Sequence, residues 1–195
     1  MKVIGLTGSI AMGKSEVAKI FREHGIPVFD SDAEVHALYD SKQGADLLQD
    51  DVPEATRDGR VDRKIVTELV LRDAAVLSRL EKKVHAEIRF RRNAFLEKAS
   101  ARGAKLAVVD VPLLFETGTD KDVDVTLVVS SSVEIQRTRV FARPGMTQER
   151  FDMIIARQMP DAEKRARSDH VIENNGSLVD LKKAVEIFID QLKQS

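Results

Sequence analysis

The sequence predicts a three-layer α/β fold built on a parallel sheet. Two observations carry this. Short continuous apolar runs, the kind that suit strands buried on both faces, recur along the chain. Segments of helical periodicity separate them, and this alternation is the pattern of helices packed on both faces of a sheet.

Val3 to Thr7 is the first apolar run, ending at Gly8. A helix follows from Lys14 to His24, with Val17, Ile20 and Phe21 on one face; Gly25 ends it and Pro27 blocks extension. Val28 and Phe29 form a second strand, Leu106–Asp110 a third stopped by Pro112, Val123 to Val129 a fourth, and His170 to Ile172 a fifth. The chain between the second and third strands is mostly helical. Ala33–Tyr39 and Asp62–Leu71 read as helices, with a polar, turn-rich gap from Pro53 to Gly59. A long helix runs from Asp73 to Ala101, striped by Leu77, Leu80, Val84, Ile88, Phe95 and Ala99. A plain crossover needs only about a dozen residues, so 33–101 is expected to be an inserted helical subdomain. A second, smaller insertion is expected over 138–160, around the turn at Arg143-Pro144-Gly145-Met146. The last helix spans Leu178 to Lys193, with Ser177 as N-cap and Asp180 in its first turn.

At 195 residues, the expectation is one domain, 1–195, carrying those insertions. Lys plus Arg total 31 and Asp plus Glu 32, a balance that disfavours general nucleic-acid binding. The absence of cysteine excludes a disulfide scaffold, thiolate zinc and thiol catalysis. No apolar run reaches the roughly 18 residues that cross a membrane, and the N-terminal run is too short for a leader. A soluble, cytoplasmic protein with no membrane contact and no obligate protein partner is expected. The basic cluster Arg89-Phe90-Arg91-Arg92 reads chiefly as a solvated helix face, with contact to a substrate diphosphate or to nucleic acid as alternatives. His24, His36 and His170 lack metal-ligand spacing.

The strongest chemical signal is Gly8-Ser9-Ile10-Ala11-Met12-Gly13-Lys14-Ser15, a full match to G-x-x-x-x-G-K-[ST] between a buried strand and a helix. In such a loop, backbone N–H groups converge on phosphate oxygens and the helix N-terminus adds a favourable dipole. Lys14 brings positive charge to the β- and γ-phosphates, and the Ser15 hydroxyl is suited to Mg²⁺. The fold expectation sharpens to a three-layer P-loop NTPase fold with a five-stranded parallel sheet, binding a nucleoside triphosphate. GTPases, ATPase motors and small-molecule kinases share this loop; no Asn-Lys-x-Asp guanine signature is present.

Two carboxylates, Asp30 and Asp32, close the second strand. Ligands of open α/β sheets gather at the carboxyl ends of the strands. If the second strand neighbours the first, both acids face the phosphate loop. Ser31 with Glu34 reads as a capping box starting a helix near Asp32. An ionised Asp32 can orient a substrate hydroxyl toward the γ-phosphate and accept its proton; the structural alternative is that both acids merely cap the helix. Asp110 ends a strand as a Mg²⁺-holding acid would. Arg139 and Arg143, four apart, are expected to share a helix face, with Arg143 reaching the transferring phosphoryl group. Arg157 is expected at adenine or phosphate, and Asn174, in the turn Asn174-Asn175-Gly176, either at an adenine edge or in plain turn chemistry.

Taken together, these segments resemble the dephospho-coenzyme A kinase family. Its phosphate loop is matched by Leu6–Ile10 with Gly13-Lys14-Ser15, and its Asp-x-Asp turn by Gly25–Ala33. Asp110-Val111-Pro112-Leu113-Leu114-Phe115-Glu116 looks like its Pro-Leu-Leu-x-Glu segment, and Arg137 to Arg143 like its lid arginines. Ala156-Arg157-Gln158 and Ser168–Gly176 look like its C-terminal signatures. The resemblance implies ATP-dependent phosphorylation of the ribose 3′-hydroxyl of dephospho-coenzyme A, the last step of coenzyme A synthesis, with ATP and Mg²⁺. It also implies catalytic roles for Asp32, Lys14 and Arg143. Nucleotide contacts would come from Gly8, Ala11, Met12, Gly13, Lys14, Ser15, Glu16, Arg139, Arg157 and Asn174. Substrate contacts would come from Asp30, Asp32, His85, Leu113 and Glu116, and metal contacts from Ser15 and Asp110. Ala11 stands where the family commonly has glycine, which costs roughly 1 kcal/mol if the position needs positive φ. Met12 replaces a small residue, Glu16 a small or hydroxyl one, and Ala86 follows His85 where proline is usual. Another P-loop nucleotide or metabolite kinase is the nearest alternative, and a nucleotide-dependent switch or binding protein a more distant one.

Overall fold

The structure, a computed structural model, describes residues 1–194. The chain divides into two compact units, one formed by 1–29 with 98–195 and the other by 30–97.

The first unit holds a five-stranded parallel sheet. Its strands are β1 (Lys2–Thr7), β2 (Val28–Asp30), β3 (Leu106–Asp110), β4 (Val125–Ser130) and β5 (His170–Glu173). In space they run β2-β3-β1-β4-β5. Val3 pairs with Ala107, Leu6 with Leu127 and Val128 with Val171. The edge strand β2 joins β3 through Val108 N–H donating to Pro27 C=O at 2.9 Å. β2 therefore does not neighbour β1, as the conditional expectation for Asp30 and Asp32 required. A crossover that returns inside the previous strand puts β3 between them.

Helices α1 (Lys14–Glu23) and α2 (Leu178–Gln194) cover one face. Val17, Ile20 and Phe21 meet Leu181, Val185 and Phe188 over Ile4, Leu6, Val108 and Leu127. The rings of Phe21 and Phe188 meet edge-on at 6.2 Å. Ala107, Val109 and Val128, pointing to the other face, are also fully buried. Burial on both sides explains why β3 reads as an unbroken apolar run. Gly5 is needed here, because a Cβ would stand 2.9 Å from Val123 and 3.1 Å from Leu114. Three further helices, α3 (Val133–Phe141), α4 (Gln148–Ile155) and α5 (Asp161–Arg167), lie between β4 and β5.

The second unit contains α6 (Ser31–Tyr39), α7 (Lys42–Leu48), α8 (Arg63–Arg72) and most of α9 (Ala74–Ala101). Leu38, Leu48, Val52, Val61, Leu80 and Val84 form its own core. The polar gap at 53–59 is more ordered than the sequence reading allowed. It opens with a 3₁₀ turn and leads into a two-stranded antiparallel hairpin, Thr56–Arg57 with Arg60–Val61. Asp58 and Gly59 take positive φ, 51° and 71°, the pair that a tight primed turn demands. The N-cap of α6 is Asp30 rather than Ser31: Asp30 Oδ1 accepts the Ala33 N–H at 3.0 Å. Asp is as good a cap as Ser, and the helix simply begins one residue earlier. At α2 the Asp180 N–H donates to Ser177 Oγ at 3.2 Å, and Asp180 Oδ2 accepts the Ser177 N–H at 3.0 Å, a reciprocal cap.

Asp169 ties the start of β5 to β4. Its Oδ2 accepts the Thr126 N–H at 2.8 Å and the Thr126 hydroxyl at 2.7 Å, and its own N–H donates to Thr126 Oγ1 at 2.9 Å. These bonds hold its carboxyl below the usual aspartate range. A depressed pKa contributes stability that is complete above the unfolded-state value and is lost as pH falls through the folded one. Asp169→Ala should lower the Tm at pH 7 by about 2–6 °C. The gap from the parent should stay constant above about pH 5 and narrow below about pH 4 in pH-resolved melting. A gap that widens in acid would show the carboxylate is not the stabilising species.

Candidate active site

The site begins where β1 gives way to α1. Gly8 must be glycine, since a Cβ would come within 2.6 Å of Val129 C=O. Beyond it the backbone turns through two left-handed residues, Ala11 at φ 64° and Gly13 at φ 103°. Alanine at such a position costs about 1 kcal/mol. The methyl of Ala11 is buried against Val140 and Phe151, beside Ile10, Met146 and Ile155, which offsets that cost. Gly13 admits Asn174: any Cβ there would run into Asn174 Nδ2, which donates to Met12 C=O at 2.9 Å.

The N–H groups of Ala11, Gly13, Lys14 and Ser15 make no hydrogen bond to the described residues. The Met12 N–H donates to Ser9 C=O at 3.2 Å, and the Ile10 N–H to Gln158 Oε1 at 3.1 Å. Free donors at the start of a helix, on a backbone held in place from behind, constitute an anion cradle. Met12 turns its side chain inward, where Sδ accepts from Ser131 N–H and Oγ at 3.1 and 3.0 Å, so only its backbone faces the cradle. Glu16 is exposed in the first turn of α1.

Lys14 Nζ forms an ion pair with Asp110 Oδ1. Asp110, at the end of β3, is 3 % exposed. The pair keeps a buried carboxylate from being an uncompensated charge, and it brings together the two residues that the sequence assigned to phosphate and metal. Ser15 is exposed beside them. Among the described residues no group of three His, Cys, Asp or Glu side chains could hold a metal.

The other predicted residues fall in several places. Arg139, on α3, donates from Nη2 to Asn174 C=O at 3.1 Å, while its Nη1 is buried without a partner. Asn174 is 6 % exposed and spends its amide on Met12 C=O, so it braces the loop from behind. Arg143 does not share a helix face with Arg139. α3 ends at Phe141, and Arg143 lies exposed in the following turn. Pro144 explains this, because the residue before proline is pushed out of helical conformation. Arg157 is exposed just past α4. Leu113 is half-buried, and its C=O accepts from Thr117. Glu116 Oε1 accepts the Met159 N–H at 2.7 Å and pairs with the fully buried Lys164 at 2.9 Å. Lys164 Nζ also donates to Pro112 C=O at 2.9 Å, so this cluster holds the segment that leaves β3.

In the other unit, Asp30 is engaged as the α6 cap. Asp32, one turn-position further, is exposed with no side-chain hydrogen bond among the described residues. His85 is exposed on α9. Arg91 of the basic cluster is tied to Glu87 at 2.9 Å, Glu34 at 3.3 Å and Gln43 at 2.7 Å, so it is a fastener within this unit. Gln136 and Gln158, whose side-chain amides contact Ile10 in the loop, were not singled out from the sequence; Gln158 entered only within Ala156-Arg157-Gln158, which looks like a segment of the resembled family.

The dephospho-CoA kinase family model matches residues 2–180. A Rhodopseudomonas palustris protein named dephospho-CoA kinase is 48 % identical over 190 residues, 97 % of this chain and 95 % of that one. A solved Thermus thermophilus structure superposes with a TM-score of 0.83 at 38 % identity, covering 98 % of this chain and 97 % of that one. A dephospho-CoA kinase structure from Campylobacter jejuni shares the fold, with a TM-score of 0.76 at 24 % identity over 100 % and 98 % of the two chains. The parallel sheet, the Gly8–Ser15 loop and these likenesses converge: the chain belongs to the dephospho-CoA kinase family.

Proposed function

We propose that the chain transfers the γ-phosphoryl group of ATP to the ribose 3′-hydroxyl of dephospho-coenzyme A, giving coenzyme A and ADP. The observation that carries this reading is the loop itself: four of its amides, those of Ala11, Gly13, Lys14 and Ser15, have no partner among the described residues and stand beside an ammonium group in a chain of this family. Phosphoryl transfer through a loose transition state needs little covalent help from the protein. Positioning and charge stabilisation suffice, and the loop supplies both.

In this mechanism the free amides bind the β- and γ-phosphate oxygens. Lys14 leaves its pairing with Asp110 for the more highly charged phosphates and stabilises the charge that shifts toward the bridging oxygen. Asp32 accepts a hydrogen bond from the 3′-hydroxyl, aims its oxygen in line with the γ-phosphorus, and takes the proton as the new bond forms. A strong base is not needed, because the alcohol loses its proton late in a loose transition state. Arg143 and Arg157, exposed on the 138–160 segment, close over the phosphates as a lid and exclude water. Arg139 has a donor to spare at Nη1 for the nucleotide. Asp30, His85, Leu113 and Glu116 are assigned to the acceptor side, with Asp30 and Glu116 acting through the elements they fasten. The 33–101 segment is assigned to substrate binding. The donor set fits Mg²⁺: oxygen ligands only, a hydroxyl at Ser15 and a strand-end carboxylate at Asp110, with phosphates and water completing the shell. When bound, such an ion would neutralise charge on the phosphates. No described helix is long and apolar enough to cross a membrane, and a cytoplasmic enzyme free of nucleic acid fits the reaction's small soluble substrates.

A coupled assay of ADP release tests the proposal. ATP consumption should be slow alone and rise strongly with dephospho-coenzyme A; consumption indifferent to the acceptor would favour a nucleotide switch. Asp32→Asn should reduce kcat by about 10²–10⁴-fold with ATP affinity nearly intact. A near-normal kcat would remove Asp32 from the reaction. Lys14→Ala should cost about 10²–10³-fold in kcat, and an unchanged rate would overturn its assignment to the phosphates.

A further inference from the structure

A trans peptide unit points its C=O and its N–H in opposite directions. Whatever grips a carbonyl on the back of the phosphate loop therefore aims the next residue's N–H out of the front. Two loop carbonyls are gripped in this way. Gln136 Nε2 donates to Ile10 C=O at 2.9 Å, and the N–H of the same peptide unit is that of Ala11. Asn174 Nδ2 donates to Met12 C=O at 2.9 Å, and the N–H of that unit is Gly13's. Both of these N–H groups are without a partner among the described residues. Each brace is a buried primary amide, 6 % exposed for Gln136 and 6 % for Asn174. Gln136 is fixed on α3, and Asn174 is itself held by Arg139 at 3.1 Å.

The chemistry of the braces suits the task. A side-chain amide donates a hydrogen bond without carrying charge, so it adds no cation behind the loop and needs no counter-ion when buried. The preceding unit is held as well: Ser9 C=O accepts from Met12 N–H, and Ile10 N–H donates to Gln158 Oε1. Three peptide units of the loop, Ser9–Ile10, Ile10–Ala11 and Met12–Gly13, are thus held before any ligand arrives. Without the Gln136 bond, the Ile10–Ala11 unit carries a part-buried carbonyl with nothing to hold its direction, next to a residue already at φ 64°.

We infer that Gln136 is a positioning residue for nucleotide binding, aiming the Ala11 N–H at a phosphate oxygen by holding Ile10 C=O, in parallel with Asn174 acting on Gly13. The inference rests on the loop's being the phosphate site.

The test is Gln136→Met, which keeps the length and removes the donor, followed by amide-resolved NMR titration with ADP and by steady-state kinetics. In the parent, the Ala11, Gly13 and Lys14 amide protons should all shift as they bond to phosphate. In Gln136→Met the Ala11 shift should be lost while that of Lys14 persists. The KM for ATP should rise on the order of tenfold, with the KM for dephospho-coenzyme A unchanged. An Ala11 shift equal to the parent's would overturn the inference, as would both KM values and the Tm moving together. If no loop amide of the parent responds to ADP, the phosphate assignment itself fails and takes the inference with it. Gln136→Glu, which keeps the shape and replaces the donor with an acceptor, should show the same selective loss at Ala11 if the methionine variant does not fold.

Discussion

An anion-binding loop works only while its backbone is kept in a shape the chain would not hold unaided, and the phosphate-binding end of this protein depends on that constraint. Two residues of the loop are left-handed, one of them alanine. Several amides are left without partners. Both features cost free energy, roughly 1 kcal/mol for the alanine alone. What holds the loop is distributed over distant parts of the chain: Gln136 from α3, Gln158 from beyond α4, Asn174 from beyond β5, and a small apolar cluster around Ala11. On the proposed reading, the cost of shaping the loop for phosphate is met in folding and not at the moment of ligation.

Electrostatics follow the same plan. Lys14 and Asp110 pair across the base of the cradle. A carboxylate buried at the end of a central strand would otherwise be strongly unfavourable. The same pairing keeps the ammonium near the proposed phosphate position. A polyphosphate is a stronger partner for that ammonium than one carboxylate, so the pairing can be exchanged. Behind it, Lys164 and Glu116 secure the chain that leaves β3, and Pro112 C=O also accepts the Thr7 hydroxyl at 3.0 Å. The strand ends that carry the chemistry are thereby fixed to one another.

The sequence made some of this legible and hid the rest for physical reasons. β3 was readable to the residue because burial on both faces leaves only apolar side chains between Lys105 and Asp110. The loop was readable because its chemistry fixes residue types at fixed spacing. The hairpin at 56–61 was missed although Asp58-Gly59 is a strong turn signal; its strands are too short to show alternation. Strand order stayed open because nothing local reports which strand a crossover passes; the structure places β3 between β1 and β2. The helix break before Arg143 was written in Pro144 but was outweighed by the four-residue spacing of the arginines. Gln136 left no trace at all, since a neutral amide 126 residues along the chain from its carbonyl partner has no local pattern. Asn174 stood in view as a turn or adenine-edge residue, but its bond to Met12 C=O, 162 residues away along the chain, has no local pattern.

The central claim is that the Gly8–Ser15 loop holds the triphosphate while Asp32 holds the acceptor alcohol. A crystal structure with a non-hydrolysable ATP analogue and dephospho-coenzyme A together tests it most directly. The account requires phosphate oxygens at about 3 Å from the N–H groups of Ala11, Gly13, Lys14 and Ser15. It also requires Lys14 Nζ turned from Asp110 to the phosphates, and the Asp32 carboxylate on the ribose 3′-hydroxyl. Phosphates bound away from those amides, with the Lys14–Asp110 pair intact, would contradict it.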